Sequence, residues 1–470
     1  MKRVAIVGGG VAGLTAAYEL ARLVRKGASL QVVLFEASTR LGGIIETVHE
    51  GGFVIECGPD AWVTEKPWAR ELAEELGLSD EVMPSNDATR KTYVLVDKKL
   101  QAMPDGMRMM VPVDLDAMDA SELFSAEAKQ AYHEELGRAE ELRMSSPGGD
   151  ESVAEFVRRH FGDEVLAKLG APLLSGVFGG DVTRLSVRAV MGAFVAMERE
   201  HGSLISATQA RSLAAKKDSV FTTLRSGMGT LVDRVIAAIP EDWIRLAAEV
   251  RFISYGEEGW LVGTTRGVER FDAVMMAAPV DVACSLLSPV DPELAPLMEM
   301  DASSAVVVAF GFPDAAKFPV PPGFGFLVPP GFDSLLLAAT FVDQKFEDRV
   351  PEGGRLVRGF FGGKAAERLM RCGNDEIAAV ARMELARILG PLPEPQVTIV
   401  RRWPRSLPQY AVGHLERMAK LDERVGALDG LSLLGNGYHG VGVPDLVRDA
   451  RVAARRMARE SEGPAEVAEL

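Results

Sequence analysis

The chain has 470 residues, 47% hydrophobic and 25% charged, a composition ordinary for a globular protein with a sizeable core. Length on this scale predicts two or three domains. A formal net charge of −15 argues against a general nucleic-acid-binding surface, and three isolated cysteines, Cys57, Cys284 and Cys372, lack both paired and metal-ligand spacing.

The cysteine usage predicts a reduced, cytoplasmic setting. The first residues enter a strand without the charged and apolar regions of a signal peptide. No apolar run approaches the ~20 residues of a spanning helix, so integral membrane insertion is not expected. Peripheral attachment, for instance on the inner face of a cell membrane, leaves a weaker trace and stays open.

In chain order, residues 4–7 form an apolar run suited to a buried parallel strand. Gly8, Gly10 and Gly13 follow at GxGxxG spacing, and residues 14–20 read as a helix. That order gives a tight turn at Gly8, close approach of a pyrophosphate at Gly10 and close helix–strand packing at Gly13. Glu36 ends a second apolar strand, residues 32–35, and lies 23 positions after Gly13. A carboxylate there accepts hydrogen bonds from an adenosine ribose. Arg40-Leu41-Gly42-Gly43 extends the motif, with a backbone segment for a larger cofactor and Arg40 near its phosphates. The combination resembles the FAD-binding opening of the flavin amine oxidase superfamily more than a nicotinamide dehydrogenase.

Phe53 and Ile55 alternate as in a strand, and Gly58-Pro59 then turns the chain sharply before Asp60. Such a turn presents backbone polar groups to a ring edge. Residues 103–202 are rich in Ala, Glu, Leu, Arg and Met, and predict helices over 126–144, 153–161 and 187–200. Ser145-Ser146-Pro147-Gly148-Gly149 breaks the first two apart, and Ser152 with Glu155 forms a capping box. Strand signals return at 271–278, 305–312, 335–341 and 356–361. Helices are expected over 231–239 and over 378–389, the latter stopped by Gly390-Pro391. Residues 431–434 lead into a glycine-rich loop ending Gly440-Val441-Gly442-Val443, and then into a helix over 444–459. The positive end of that helix would stabilise a reduced isoalloxazine at its pyrimidine edge. Asp445 reads as a first-turn acid or loop-fixing residue.

Four further segments make the resemblance specific: SGVFGGDVTRLSVRA at 175–189, PPGFGFLVPP at 321–330, PQYAVGHLERM at 408–418 and NGYHGVGVPD at 436–445. They look like the protoporphyrinogen oxidase family, including its bacterial coproporphyrinogen III oxidases. The resemblance implies an α/β fold: a discontinuous, Rossmann-like FAD-binding domain of p-hydroxybenzoate hydroxylase type. A mixed α+β substrate domain and a helical membrane-facing domain would be inserted in it. The expected division is 1–95, 206–285 and 426–470 for the FAD-binding domain, 96–205 for the helical membrane-facing and substrate-access domain, and 286–425 for the substrate domain.

The implied activity is oxygen-dependent oxidation of protoporphyrinogen IX to protoporphyrin IX by three hydride transfers to flavin N5, in haem synthesis. Oxidation of coproporphyrinogen III is the alternative. Non-covalent FAD would contact Gly8, Gly9, Gly10, Val11, Ala12, Gly13, Glu36, Ala37, Arg40, Gly42, Gly43 and Ile44. Further contacts would come from Gly58, Pro59, Asp60, Ala61, Val250, Val441, Gly442 and Val443. On the substrate side, Phe324 would stack on a pyrrole, Gly176 would offer its carbonyl to the macrocycle and Arg108 would pair with a propionate. The other reading of Arg108 is a solvent-facing helix arginine. No catalytic side chain and no metal site is expected. Molecular oxygen is the implied partner, and contact with ferrochelatase and a homodimer are further partners it raises.

Where animal members carry an arginine after the Gly-Pro turn, this chain has Asp60, as do bacterial members, some of which prefer coproporphyrinogen III. An acid there cannot clamp a propionate, which leaves the substrate's orientation open. The six histidines, His49, His133, His160, His201, His414 and His439, form no evident cluster, and His439 reads as a loop residue. A flavin amine oxidase or desaturase is the runner-up. Residues 302–312 lack the lysine, and the final loop the cysteine, that such enzymes often carry. A non-catalytic FAD–porphyrin carrier is the third reading.

Overall fold

The computed structural model describes residues 1–214 and 219–459; the last eleven positions of the expected 426–470 segment and four of the 206–285 segment lie outside them. A five-stranded parallel sheet runs in the order Ile244–Arg245, Leu30–Phe35, Lys2–Val7, Ala273–Met276, Leu431–Leu433. Residues 4–7, 32–35 and 273–276 are unbroken apolar runs because both faces of the sheet are covered there. Val4, Ile6, Val32, Leu34, Ala273 and Met275 face one side, where the helices Val11–Arg25 and Val443–Arg459 pack. Ala5, Val7, Val33, Phe35, Val274 and Met276 face the other. There they meet an antiparallel meander, Val250–Gly256, Gly259–Thr264 and Gly267–Phe271, and the helices Val280–Leu287 and His414–Gly426.

A seven-stranded sheet stands beside it, in the order Val397–Pro408, Ala302–Phe312, Arg355–Phe361, Ala338–Phe341, Gly325–Leu327, Thr92–Val96, Lys99–Ala102. Its pairs are antiparallel except Gly325–Leu327 with Thr92–Val96. The hairpin Thr92–Ala102 thus joins this sheet and spans the 95/96 boundary. Helix Asn374–Leu389 covers one face. On the other face Phe53 and Ile55 pack with Ala309, Leu356 and Val397, so the strand Phe53–Glu56 seats the Gly58-Pro59 turn between the two sheets.

Helices between Leu115 and Ala214 gather around a third core of Tyr132, Phe156, Phe161, Phe178 and Phe194. Two predicted helices are interrupted: the first at Arg138 (φ −97°, ψ 13°), the third at Met191 (φ −132°, ψ 31°). Each break adjoins a glycine, Gly137 or Gly192, the weakest helix former short of proline. The capping box forms as expected, with Ser152 Oγ accepting from Glu155 N at 3.2 Å and Glu155 Oε2 accepting from Ser152 N at 2.9 Å. Of the strand expected over 335–341, only Ala338–Phe341 is paired. Among the described residues no helix is long and apolar enough to cross a membrane.

Candidate active site

The site begins where Lys2–Val7 ends. Gly8 has φ +111°, and a Cβ there would lie 2.6 Å from the Ala277 carbonyl oxygen. A Cβ on Gly13 would lie 2.0 Å from the Gly8 carbonyl oxygen, which is how closely the helix rides on the strand turn. Gly10 differs: nothing lies within 4 Å of its Cβ position. It is the N-cap of Val11–Arg25, with no side-chain cap and no acid in the first turn. The N–H groups of Val11 and Ala12 belong to that exposed helix start, an arrangement suited to a phosphate.

Glu36 lies alongside. Its Oε2 accepts from Gly9 N and its Oε1 from Ser38 N, each at 2.8 Å, which leaves acceptor positions on both oxygens. Segment 247–250 is laid against it, through Ala247 N to Ser38 O at 2.8 Å and Ala248 N to Glu36 O at 2.9 Å. Buried Val250 and exposed Ala37 therefore lie in one neighbourhood with Glu36. The Arg40 guanidinium turns back on the carbonyls of Leu41, Gly43 and Ile45. It braces the Gly42-Gly43 loop, which bonds through Gly42 N to Gly9 O at 2.8 Å.

At the second turn a Cβ on Gly58 would lie 1.9 Å from the Ile44 carbonyl oxygen, so Ile44 and Gly58 meet directly. Pro59, Asp60 and Ala61 follow, half-buried. Asp60 is not a bare acid. Lys345 Nζ binds its two oxygens at 2.9 and 3.1 Å, and Arg358 stands at 3.3 Å and also donates to the Gly58 carbonyl. Burial works to raise the Asp60 pKa, but Lys345, Arg358 and Arg349 overcome it and hold the carboxyl below its usual value. Behind it, buried Glu56 accepts from Thr47 Oγ1 and Met228 N, each at 2.7 Å, and faces Arg349 at 3.4 Å. Burial raises the Glu56 pKa. Lys345, Arg349 and Arg358 escaped the sequence reading. Arg358, set between apolar residues within the strand Arg355–Phe361, was the available signal.

The glycine-rich loop approaches from the third side. Asp445, buried in the first turn of Val443–Arg459, takes Lys66 Nζ on its two oxygens at 2.6 and 2.8 Å. Gly440 and Gly442 pack against it, which fits the loop-fixing reading. Val441 packs against the helical core, while Gly442 is half-buried and Val443 enters the sheet core. His439 is exposed and pairs with Asp422 at 3.2 Å, which raises its pKa. His160 and His414, by contrast, are each 1% exposed.

Arg108 lies on a short strand, Met107–Arg108, rather than a helix, and pairs with Glu65. Glu65 adjoins Lys66, so Arg108 is linked along the backbone to the Asp445 loop. Gly176 is exposed in the last turn of Ala171–Phe178, before left-handed Gly179, where helix carbonyls lack internal partners. That helix contacts the strand Gly325–Leu327, which follows Phe324. The Phe324 ring is 8% exposed, more enclosed than a freely projecting side chain.

The model of the family described as flavin containing amine oxidoreductase matches residues 11–458. The chain belongs to that family. A protein of Bacillus subtilis named coproporphyrinogen III oxidase is 33% identical over 96% of this chain and 97% of its own length. Protoporphyrinogen oxidase 2 of Arabidopsis thaliana is 28% identical over 96% of this chain and 93% of its own. The crystal structure of a candidate protoporphyrinogen oxidase from Exiguobacterium sp. 255-15 superposes with TM-score 0.86 at 31% identity, covering 98% of this chain and 99% of that one. This flavoprotein is therefore an FAD-dependent oxidoreductase, related to enzymes named for porphyrinogen oxidation. The open helix start at Gly10 and the acceptor positions left on Glu36 fit an FAD pyrophosphate and ribose.

Proposed function

We propose that this flavoprotein oxidises a porphyrinogen to its porphyrin, with coproporphyrinogen III as substrate and oxygen as electron acceptor. The observation that carries this reading is the near full-length similarity to the Bacillus protein named coproporphyrinogen III oxidase. When bound, FAD supplies a two-electron acceptor for a hydride from the substrate's methylene bridges. The chain would bind its phosphates at Gly8, Gly9, Gly10, Val11, Ala12 and Gly13 and its ribose at Glu36. Arg40, Gly42, Gly43 and Ile44 would shape the segment beside them, and Val250 the adenine side. Gly58, Pro59, Asp60 and Ala61 would line one side of the ring and Val441, Gly442 and Val443 its pyrimidine edge. Phe324 would meet a pyrrole face, Gly176 a pyrrole N–H and Arg108 a propionate, which must replace Glu65 as its partner. This reading needs no side-chain base, because the substrate's own pyrrole nitrogen lone pair would drive loss of the hydride; Lys345 is paired with Asp60.

Protoporphyrinogen IX is the second substrate reading, favoured by the name of the plant relative. Contact of the helical region with a lipid surface, contact with ferrochelatase and a homodimer belong to the same proposal. Parallel oxygen consumption with coproporphyrinogen III and protoporphyrinogen IX is the test, alongside anaerobic bleaching of the flavin. Faster consumption with coproporphyrinogen III is expected. Bleaching by neither porphyrinogen would overturn the reading.

A further inference from the structure

The segment Gln409–His414 takes no part in the contacts assigned above, yet it grips the loop that leads to Val441, Gly442 and Val443. We propose that Tyr410 and His414 are positioning residues that lock loop 436–440, and so fix how the following residues meet the flavin's pyrimidine edge. The proposal rests on the reading of Val441, Gly442 and Val443 as flavin contacts, and on no choice of substrate.

The Tyr410 hydroxyl donates to the Asn436 carbonyl at 2.7 Å and accepts from Gly440 N at 3.0 Å, closing the loop from both ends. Its ring stacks on His414, with centroids 3.9 Å apart and planes 11° apart. His414 Nε2 lies 2.8 Å from the Tyr438 carbonyl, an acceptor, so the proton sits on Nε2. Nδ1 is then the bare nitrogen, and it is buried without a partner. Asn436 Nδ2 adds a bond to the Ser406 carbonyl at 2.9 Å. The Tyr438 ring is buried in the core beneath the parallel sheet, and its hydroxyl makes no hydrogen bond, so its hold on the loop is by packing alone. The bonds from Tyr410 and His414 go to main-chain groups, so their share of the grip does not depend on the loop's side chains.

The clamp has a fixed base. Ser186 N donates to the Tyr410 carbonyl at 2.7 Å and Val412 N to the Arg184 carbonyl at 2.9 Å. Gly413 N donates to the Asp150 carboxylate at 2.8 Å. The segment follows directly on the strand Val397–Pro408. One short stretch therefore ties the substrate sheet, the helical region and the flavin loop together.

The test uses apoprotein reconstituted with FAD, and no porphyrinogen, so its outcome is independent of the substrate proposal. Tyr410→Phe strips partners from two loop groups, and about a tenfold rise in the FAD dissociation constant is expected. The two-electron midpoint potential should fall, because a displaced helix start and loop no longer stabilise the reduced ring's charge. His414→Leu should do the same. His414→Gln, which keeps an N–H donor, should restore both quantities toward wild type. Wild-type affinity and potential in both Tyr410→Phe and His414→Leu would overturn the proposal. So would a fall in the apoprotein's melting temperature with the potential unchanged, since that marks a purely structural role.

Discussion

The two ends of the candidate cofactor site are built by opposite means. At the nucleotide end, main-chain groups and missing side chains do the work, with Gly8, Gly10, Gly13 and one carboxylate, Glu36, inside a continuous stretch of chain. At the ring end, buried charges and aromatic side chains arrive from distant segments. Asp60 meets Lys345 and Arg358 across almost three hundred positions, and the loop at 436–440 is held by Tyr410 and His414. The first design leaves no room for a side chain at Gly8 or Gly13. The second tolerates no lost charge.

Glycine substitutions give the largest effects and separate fold from binding. Gly13→Ala places a Cβ 2.0 Å from the Gly8 oxygen, so the strand–helix turn must open. A loss of about 4 kcal/mol or more is expected, read as failure to accumulate folded protein. Gly10→Ala meets open space in the apoprotein and should fold normally, yet bind FAD about a hundredfold more weakly by blocking the pyrophosphate. Equal urea midpoints with normal FAD titration in both variants would erase the contrast.

At the ring end, Asp60→Asn leaves Lys345 and Arg358 without their shared carboxylate. Stranding buried charge costs about 3–5 kcal/mol, to be checked by urea unfolding of the apoprotein. Adding Lys345→Met should recover part of that loss, which a double-mutant cycle measures.

His414 makes the ring end sensitive to acid. Burial, with Arg417 and His439 nearby, brings its pKa down from 6.5 to about 4, although the Tyr438 carbonyl and Asp150 act the other way. Between those values the unfolded chain binds the proton more readily than the folded one. The contribution is thus complete above pH 6.5 and is lost as the pH falls toward 4. It amounts to about 3 kcal/mol, and His414→Gln should flatten that part of the unfolding free energy measured against pH.

Glu36→Ala comes next, with FAD affinity falling about ten- to a hundredfold through lost charge-assisted bonds. An unchanged dissociation constant would remove Glu36 as the ribose ligand. The smallest effect belongs to Arg108→Ala. Its partly exposed pairing with Glu65 contributes within about 1 kcal/mol to folding, so stability should hold while the porphyrinogen KM rises more than kcat falls.

What the sequence made legible follows the same division. The turns at GxGxxG and at Gly58-Pro59 were readable because local spacing sets each, and a Cβ on Gly8, Gly13 or Gly58 would strike a carbonyl oxygen. Lys345, Arg349 and Arg358 were not, since nothing near them in the chain announces Asp60 or Glu56. His160 looked scattered with the other histidines, yet its ring nitrogens lie 3.0 Å from Glu135 and 3.1 Å from Glu198. That arrangement exists only once three helices meet. The interrupted helices were half legible, for Gly137 and Gly192 stood in plain view but a single glycine does not always end a helix.

The five-stranded sheet also governs when this protein can become itself on the ribosome. Its central strand, Lys2–Val7, is made well before one neighbour, Ala273–Met276, and the outer strand Leu431–Leu433 is made later still. Until then Ala273–Met276 has a bare parallel edge, open to pairing with a foreign strand. Such late, long-range pairing makes folding slow and lengthens the time in which the nascent chain needs protection from aggregation.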